Sequence, residues 1–231
     1  EDTFHADVVL IWHANPAYTR IPYFHYLTEA RYKGATIVLI APDMSPSATH
    51  ADIFVPVKGG TDAALALAMC RVVIDEGLMD SEFVATQTDL ALLVRNDTGT
   101  LLRAADMTEG GSEYGFFVWC DNVGLTPTAS DTLFLEHRAV LSGTFEVELA
   151  DGSIVEVAPA FERLTQRLED YSPEAAAEVC GVNPSVIVDL ARRVAGGRTK
   201  LYEGFDTSKH YHGDLMERAM NLLLALTGNW G

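Results

Sequence analysis

Four stretches hold the densest groupings of side chains able to do chemistry. They are His13-Ala14-Asn15-Pro16, Pro42-Asp43-Met44-Ser45, Gly59-Gly60-Thr61-Asp62, and the run from Gly204 through Phe205, Asp206, Thr207, Ser208, Lys209, His210, Tyr211 and His212 to Gly213. Asn15 offers both a donor and an acceptor to a polar ligand. Asp43 follows an apolar run, where an open α/β sheet can set an acid against a pair of ribose hydroxyls. Gly60 allows close backbone approach, and Thr61 and Asp62 open a helix whose free N–H groups favour anions. His210 and His212, with Asp214, invite a zinc reading. Against it, neighbouring side chains on a loop point apart and no structural zinc spacing is present. Hydrogen bonding of Lys209 and the two histidines to a heterocycle is as compatible with the pattern, so no residue is assigned to a metal. Taken singly, each of these residues also has a structural reading. An acid at a helix start can simply cap it, worth about 1 kcal/mol, and Asp62 fits that reading best.

The elements that must position these groups follow from apolar periodicity. Asp7-Val-Val-Leu-Ile-Trp is a buried strand that ends on His13 and Asn15. Pro22 to Lys33 reads as a helix closed by Gly34, and Ala35 to Ala41 as a parallel strand covered on both faces. Ile53 to Val57 is a third strand, and Thr61 to Gly77 a helix with Thr61 as N-cap and Gly77 as C-cap. This alternation predicts an α/β fold: a Rossmann-like, mostly parallel sheet with helices on both faces. Three segments are expected. Residues 1–95 form the nucleotide-binding half, 96–158 an insertion, and 159–231 helices and a return strand that complete the domain. Within the insertion, Asn96 to Ser142 reads as irregular, with Pro127 marking a loop. Thr144 to Val157 alternates about Asp151-Gly152 as a β-hairpin. Helices are expected over Ala160–Glu169, Pro173–Cys180, Pro184–Ala195 and Gly213–Thr227, and a strand over Lys200–Tyr202. In such a sheet all four polar stretches fall at the carboxyl ends of strands, on one edge.

Composition narrows the function classes. A net charge of −17 with only 16 Lys and Arg argues against free nucleic acid as a partner, since phosphate binding needs clustered cations. Hydrophobic residues make up 48% of the chain, enough for a folded core. No apolar run approaches the roughly 20 residues of a membrane-spanning helix, and the first residues lack the basic and apolar regions of a signal peptide. Cys70, Cys120 and Cys180 are too far apart for a CxxC metal site and read as core thiols. There is no GxGxxG and no GxxxxGK[ST], which removes the ordinary NAD and P-loop readings.

Together, VLIWHANPAYTRIP, TEARYKGATIVLIAPDMSPSATHADIFVPVKGGTDAALALAMCRVVIDEGL and GFDTSKHYHGDLMERAMNLLLALTGNWG resemble the catalytic subunit of the dimethyl sulfoxide reductase family. These are oxidoreductases that carry molybdenum bis(molybdopterin guanine dinucleotide). The ordered combination is similar to the branch of respiratory nitrate reductases, selenate and chlorate reductases and ethylbenzene-type dehydrogenases. The resemblance implies that His13 and Asn15 meet the phosphates or ribose of one guanine dinucleotide. It places Pro42, Asp43 and Ser45 along the same nucleotide, and Gly60 and Asp62 at the guanine edge, where a carboxylate accepts two N–H bonds. Gly204, Lys209, His210 and His212 then lie by the pterin and its pyrophosphate. The chain departs from the family in two places. Many relatives have Gly or Asn where this chain has His13, which implies a contact through backbone alone. The usual Pro-Gly before Thr-Asp is Gly59-Gly60 here.

The same resemblance implies a longer subunit. An upstream iron–sulfur segment, a protein ligand to molybdenum and a carboxy-terminal domain cannot be placed on this chain, which is expected to have no turnover alone. Implied partners are the rest of the catalytic subunit, an iron–sulfur electron-transfer subunit, a haem or membrane-anchor subunit and a small-molecule substrate, with an extracytoplasmic location. A nitrate-type oxyanion reductase is the leading expectation, because the acidic, lysine-poor composition suits salt-adapted members of that group. Selenate or chlorate reduction and anaerobic hydrocarbon hydroxylation are the alternatives. The competing class is a non-catalytic interaction module, with Phe116, Phe117 and Trp119 as its contact surface. Four upstream cysteines at iron–sulfur spacing discriminate between the two. His210→Ala is expected to perturb the bound cofactor more than His137→Ala.

Overall fold

The computed structural model describes residues 2–129 and 138–230, so His137 and the rest of 130–137 lie outside the described residues. Two compact units are present, Glu1–Met79 with Leu168–Gly231, and Asp80–Arg167.

The first unit opens with β1 (Val8–Trp12), a short helix α1 (Pro16–Thr19) and α2 (Ile21–Tyr32). These are followed by β2 (Thr36–Ala41), β3 (Ile53–Pro56) and α3 (Asp62–Asp75). After the insertion, α7 (Pro173–Cys180), α8 (Pro184–Ala195), β9 (Thr199–Glu203) and α9 (Gly213–Leu226) complete it. The strand order is β3-β2-β1-β9, and every pair is parallel. β1 is buried at every position and β2 at all but its first, which is why both read as unbroken apolar runs rather than alternating ones.

Period two then sorts the side chains. Val9, Ile11, Ile37 and Leu39 pack with Leu27 and Ala30 of α2 on one face. Trp12 points to the other face, where its indole meets Asp62 at the start of α3. α3 in turn packs against α7, α8 and α9. Each aliphatic side chain buried in these two layers stabilises the fold by about 1.5–3 kcal/mol.

The helix ends follow local chemistry. Ser172 and Asn183 cap α7 and α8 through side-chain oxygens on Ala175 and Ser185 N–H, and Gly181 closes α7 at φ +78°. Thr61 occupies the N-cap position of α3 as expected, but its hydroxyl donates to the Lys58 carbonyl instead of capping.

The second unit holds α4 (Ser81–Gln87), β4 (Leu93–Arg95), α5 (Ala104–Met107), β5 (Gly115–Cys120), β6 (Gly124–Ala129), β7 (Phe145–Glu148), β8 (Ile154–Pro159) and most of α6 (Ala160–Leu168). β7 and β8 form the expected hairpin, with Gly152 at φ +83° in its turn. β4 joins β8 antiparallel, so residues 80–95 and 160–167 belong to this unit rather than to the flanking α/β segments. The stretch from Asn96 to Ser142 is not irregular throughout. β5 and β6 pair antiparallel through a turn with Asn122 at φ +63°. Pro127 sits within β6, which pairs only with β5 among the described residues. On an edge strand the missing N–H costs nothing, so the proline that suggested a loop is compatible with a strand. Cys70, Cys120 and Cys180 are all buried and outside any disulfide, as expected.

Candidate functional site

Because the sheet is parallel, β1, β2, β3 and β9 all release their chains at the same edge. The strand order reverses between β1 and β9, since β2 and β3 run outward on one side of β1 and β9 lies on the other. A crevice at such a reversal is where open α/β sheets bind ligands. A cleft of about 420 Å³ opens there, lined by His13, Asn15, Pro42, Asp43, Ser45, Gly204 and Lys209 among others, a volume in the range of small-molecule sites.

Gly204 makes the two strand tips meet. Its N–H donates to the Trp12 carbonyl at 2.9 Å. A Cβ on it would lie 1.7 Å from the His13 carbonyl oxygen. His13 itself sits at φ +50°, the left-handed region that Gly and Asn enter at least cost. That matches the residue types the resemblance implied for this position.

Asn15 is held by a relay in which the Ser47 hydroxyl donates to Asn15 Oδ1 at 2.7 Å and accepts from the Ala17 N–H at 3.1 Å. With its oxygen engaged, the Asn15 amide presents N–H donors to the cleft it lines. Ser45 Oγ is buried without a hydrogen-bond partner, although buried hydroxyls normally have one. A polar ligand in the cleft would satisfy it.

Asp62 is placed differently from the other tip residues. It is 0% exposed, accepts from Trp12 Nε1 at 2.8 Å, and has His13 Nε2 2.8 Å from the same oxygen. That second approach is off the ring N–H direction, so it is a charge contact more than an aligned hydrogen bond. Asp62 Oδ2 has no partner. On its other side, His13 Nδ1 lies 3.4 Å from Asp206 Oδ2. Burial opposes charge on His13, but Asp62 and Asp206 outweigh it and raise the imidazole above its ordinary range.

His210 sits edge-on to His13, with ring centroids 6.0 Å apart, and its ring abuts Gly59 and Gly60. A Cβ at Gly60 would come within 3.2 Å of His210 Nδ1, so the glycine pair lets the third and fourth tips touch. His212 is exposed against Tyr211 and is not among the cleft residues.

Arg20, Tyr202, Glu203 and Asp206 also line the cleft and were not singled out from sequence. The signal for Glu203 was available, since it is the last residue of β9 and so obeys the same strand-tip rule. Burial, then repulsion from Glu217, raises its carboxyl to about 7, against a weaker opposing hydrogen bond from Asn221. A carboxyl with a raised folded-state pKa stabilises the fold fully below its unfolded value of 4.5, and that contribution is lost as pH rises through about 7. Glu203→Gln is therefore expected to be more stable relative to the parent at pH 8 than at pH 5, measured by thermal melting. Parallel melting curves across that window would contradict this.

Comparison with known proteins identifies the family and the fold. The family profile described as molybdopterin oxidoreductase matches residues 1–231. The chain is 37% identical to the chlorate reductase alpha subunit of Ideonella dechloratans, covering 100% of this chain and 26% of that one. It is 38% identical to the perchlorate reductase alpha subunit of Dechloromonas aromatica strain RCB, covering 100% of this chain and 28% of that one. It is 33% identical to the respiratory nitrate reductase alpha subunit of Haloferax mediterranei, covering 100% of this chain and 25% of that one. Its fold is similar to acetylene hydratase from Pelobacter acetylenicus, with a TM-score of 0.60 at 20% identity over 97% of this chain and 22% of that one. The chain thus spans about a quarter of the length of these relatives.

Proposed function

From the premise that this chain belongs to the molybdopterin oxidoreductase family, we propose that its strand-tip cleft binds one guanine dinucleotide arm of a molybdenum–pterin cofactor within an oxyanion reductase of the nitrate and chlorate kind. The observation that carries the reading is the reversal-point cleft. It combines the buried, unpartnered Ser45 hydroxyl, the oriented Asn15 amide, the Asp43 carboxylate and the Lys209 and Arg20 cations. These donor and acceptor types fit a nucleotide. Asp43 suits ribose hydroxyls, and Asn15, Lys209 and Arg20 suit phosphate oxygens.

When bound, the cofactor supplies two-electron chemistry at molybdenum, and the chain supplies orientation and charge. Asn15 is pre-set by Ser47 and needs little reordering to bind. The position of His13, set by Asp62, fixes the backbone turn against which Gly204 closes. The relatives are reductases of chlorate, perchlorate and nitrate, and their being alpha subunits supports a reading with further subunits. The non-catalytic module is the competing reading.

Elemental and nucleotide analysis of the complete protein tests this. Molybdenum and guanine nucleotide should be released together, and an electron-acceptor screen should favour oxyanions. Protein free of both would support the module instead. Asn15→Ala and Lys209→Ala should each lower retained guanine nucleotide by roughly 10-fold or more, since a hydrogen bond to a charged group contributes about 1.5–3 kcal/mol. Unchanged retention in both variants would place the nucleotide elsewhere.

A further inference from the structure

We propose that His13, Asp206 and His210 form a binding site for a divalent transition-metal ion of the zinc class. One ligand atom from each lies within 4.8 Å of the other two. His13 Nδ1 is 3.4 Å from Asp206 Oδ2, and His210 Nε2 is 3.8 Å from the same oxygen. These separations are long for hydrogen bonds but close to the edge of a zinc tetrahedron, about 3.4 Å for metal–ligand bonds near 2.0–2.2 Å. An imidazole–carboxylate–imidazole set suits zinc and its neighbours rather than calcium or magnesium, which prefer all-oxygen shells.

A second observation comes from the other side of His13. Its Nε2 faces the fully buried Asp62 at 2.8 Å. Although this contact lies off the ring N–H direction, the carboxylate's charge favours the tautomer with its proton on Nε2, the supporting role carboxylates play beside metal-binding histidines. It directs the Nδ1 lone pair outward, toward Asp206. Trp12 Nε1 holds the same Asp62 oxygen, so the supporting carboxylate is itself fixed.

The three ligands come from two tips: His13 follows β1, and Asp206 and His210 follow β9, with His210 braced by the Gly59-Gly60 turn. His212 and Asp214, the partners suggested by sequence spacing alone, are both exposed and outside the cluster. Two of the three ligands, His13 and Asp206, line the cleft, so the ion's remaining coordination position is open to water or to a ligand oxygen. An ion there would offset the carboxylates of Asp43, Glu203 and Asp206 around it. The site stands on these side chains and does not depend on which cofactor the cleft holds.

The test uses the complete protein produced without molybdenum cofactor, treated with chelator, dialysed against zinc, and read by elemental mass spectrometry. Asp206 and His210 are 55% and 36% exposed, so Asp206→Asn and His210→Ala should leave the fold intact, which circular dichroism checks. The parent is expected to take up one ion more than the double variant. Each single variant should weaken binding by more than about 100-fold, the upper end of effects seen for supporting residues alone. His212→Ala should bind as the parent does. Equal zinc uptake by the parent and the double variant, or loss of the ion in His212→Ala, would overturn the assignment.

Discussion

Replacing Asp62 with Ala is expected to destabilise the protein by about 3–5 kcal/mol, the usual cost of removing one partner from a buried charge pair. Asp62 is fully buried and is the acceptor for Trp12 Nε1 and the counter-charge for His13. Its loss leaves an indole N–H and an imidazole without a partner at the end of the central strand. Cofactor retention should fall as well, because the His13 turn and the Gly204 contact rest on this pairing. Asp62→Asn keeps an acceptor for Trp12 while removing the charge opposite His13, so an intermediate loss is expected. Urea denaturation of the three proteins measures the effect. Resemblance alone implied that Asp62 reads the guanine edge directly. If so, Asp62→Ala would lose nucleotide while its unfolding midpoint stayed within error of the parent. A stability loss of the size stated would instead identify Asp62 as the residue that positions His13 and Trp12.

The second large effect is expected at Gly204. An alanine there would put a methyl carbon 1.7 Å from the His13 carbonyl oxygen and 2.9 Å from Ala14 Cα. Both neighbours are backbone, so no side-chain rotation relieves the clash, and β1 and β9 must separate at their tips. A loss of about 3 kcal/mol or more is expected, at or above the upper end of overpacking costs, with little cofactor retained. Gly152→Ala is the control. Its added carbon meets nothing within 4 Å, although the residue sits at φ +83°, so only the strain of about 1–2 kcal/mol for a left-handed residue applies. Thermal melting and molybdenum content read both variants. Equal effects at the two glycines would mean that the tips are not in contact.

Much of the frame was legible in the sequence, because its elements obey strong periodic rules. Val8–Trp12 and Thr36–Ala41 are buried on both faces and so appear as unbroken apolar runs. α7 and α8 start and stop at the expected residues because Ser172, Asn183 and Gly181 do the capping. Parallel pairing then places His13, Asp43 and Gly204 at one edge without further information.

What the sequence did not disclose are pairings between distant residues. An acid at a helix start reads the same whether it faces a ligand or an indole, and Trp12 claims Asp62 across 50 positions. His13 meets Asp206 across 193 positions, so a search for ligand spacing within one loop found His210, His212 and Asp214 instead. Pro127 suggested a loop because proline is a breaker in most contexts, and edge-strand placement is a property of the sheet rather than of the local sequence.

A density map of the complete, cofactor-loaded protein is the most direct test of the central claim. A guanine nucleotide is expected in the cleft between β1 and β9, with phosphate oxygens near Asn15 and Lys209 and ribose hydroxyls near Asp43. A map with the guanine nucleotide at another edge of the sheet, and this cleft filled by protein side chains, would contradict it.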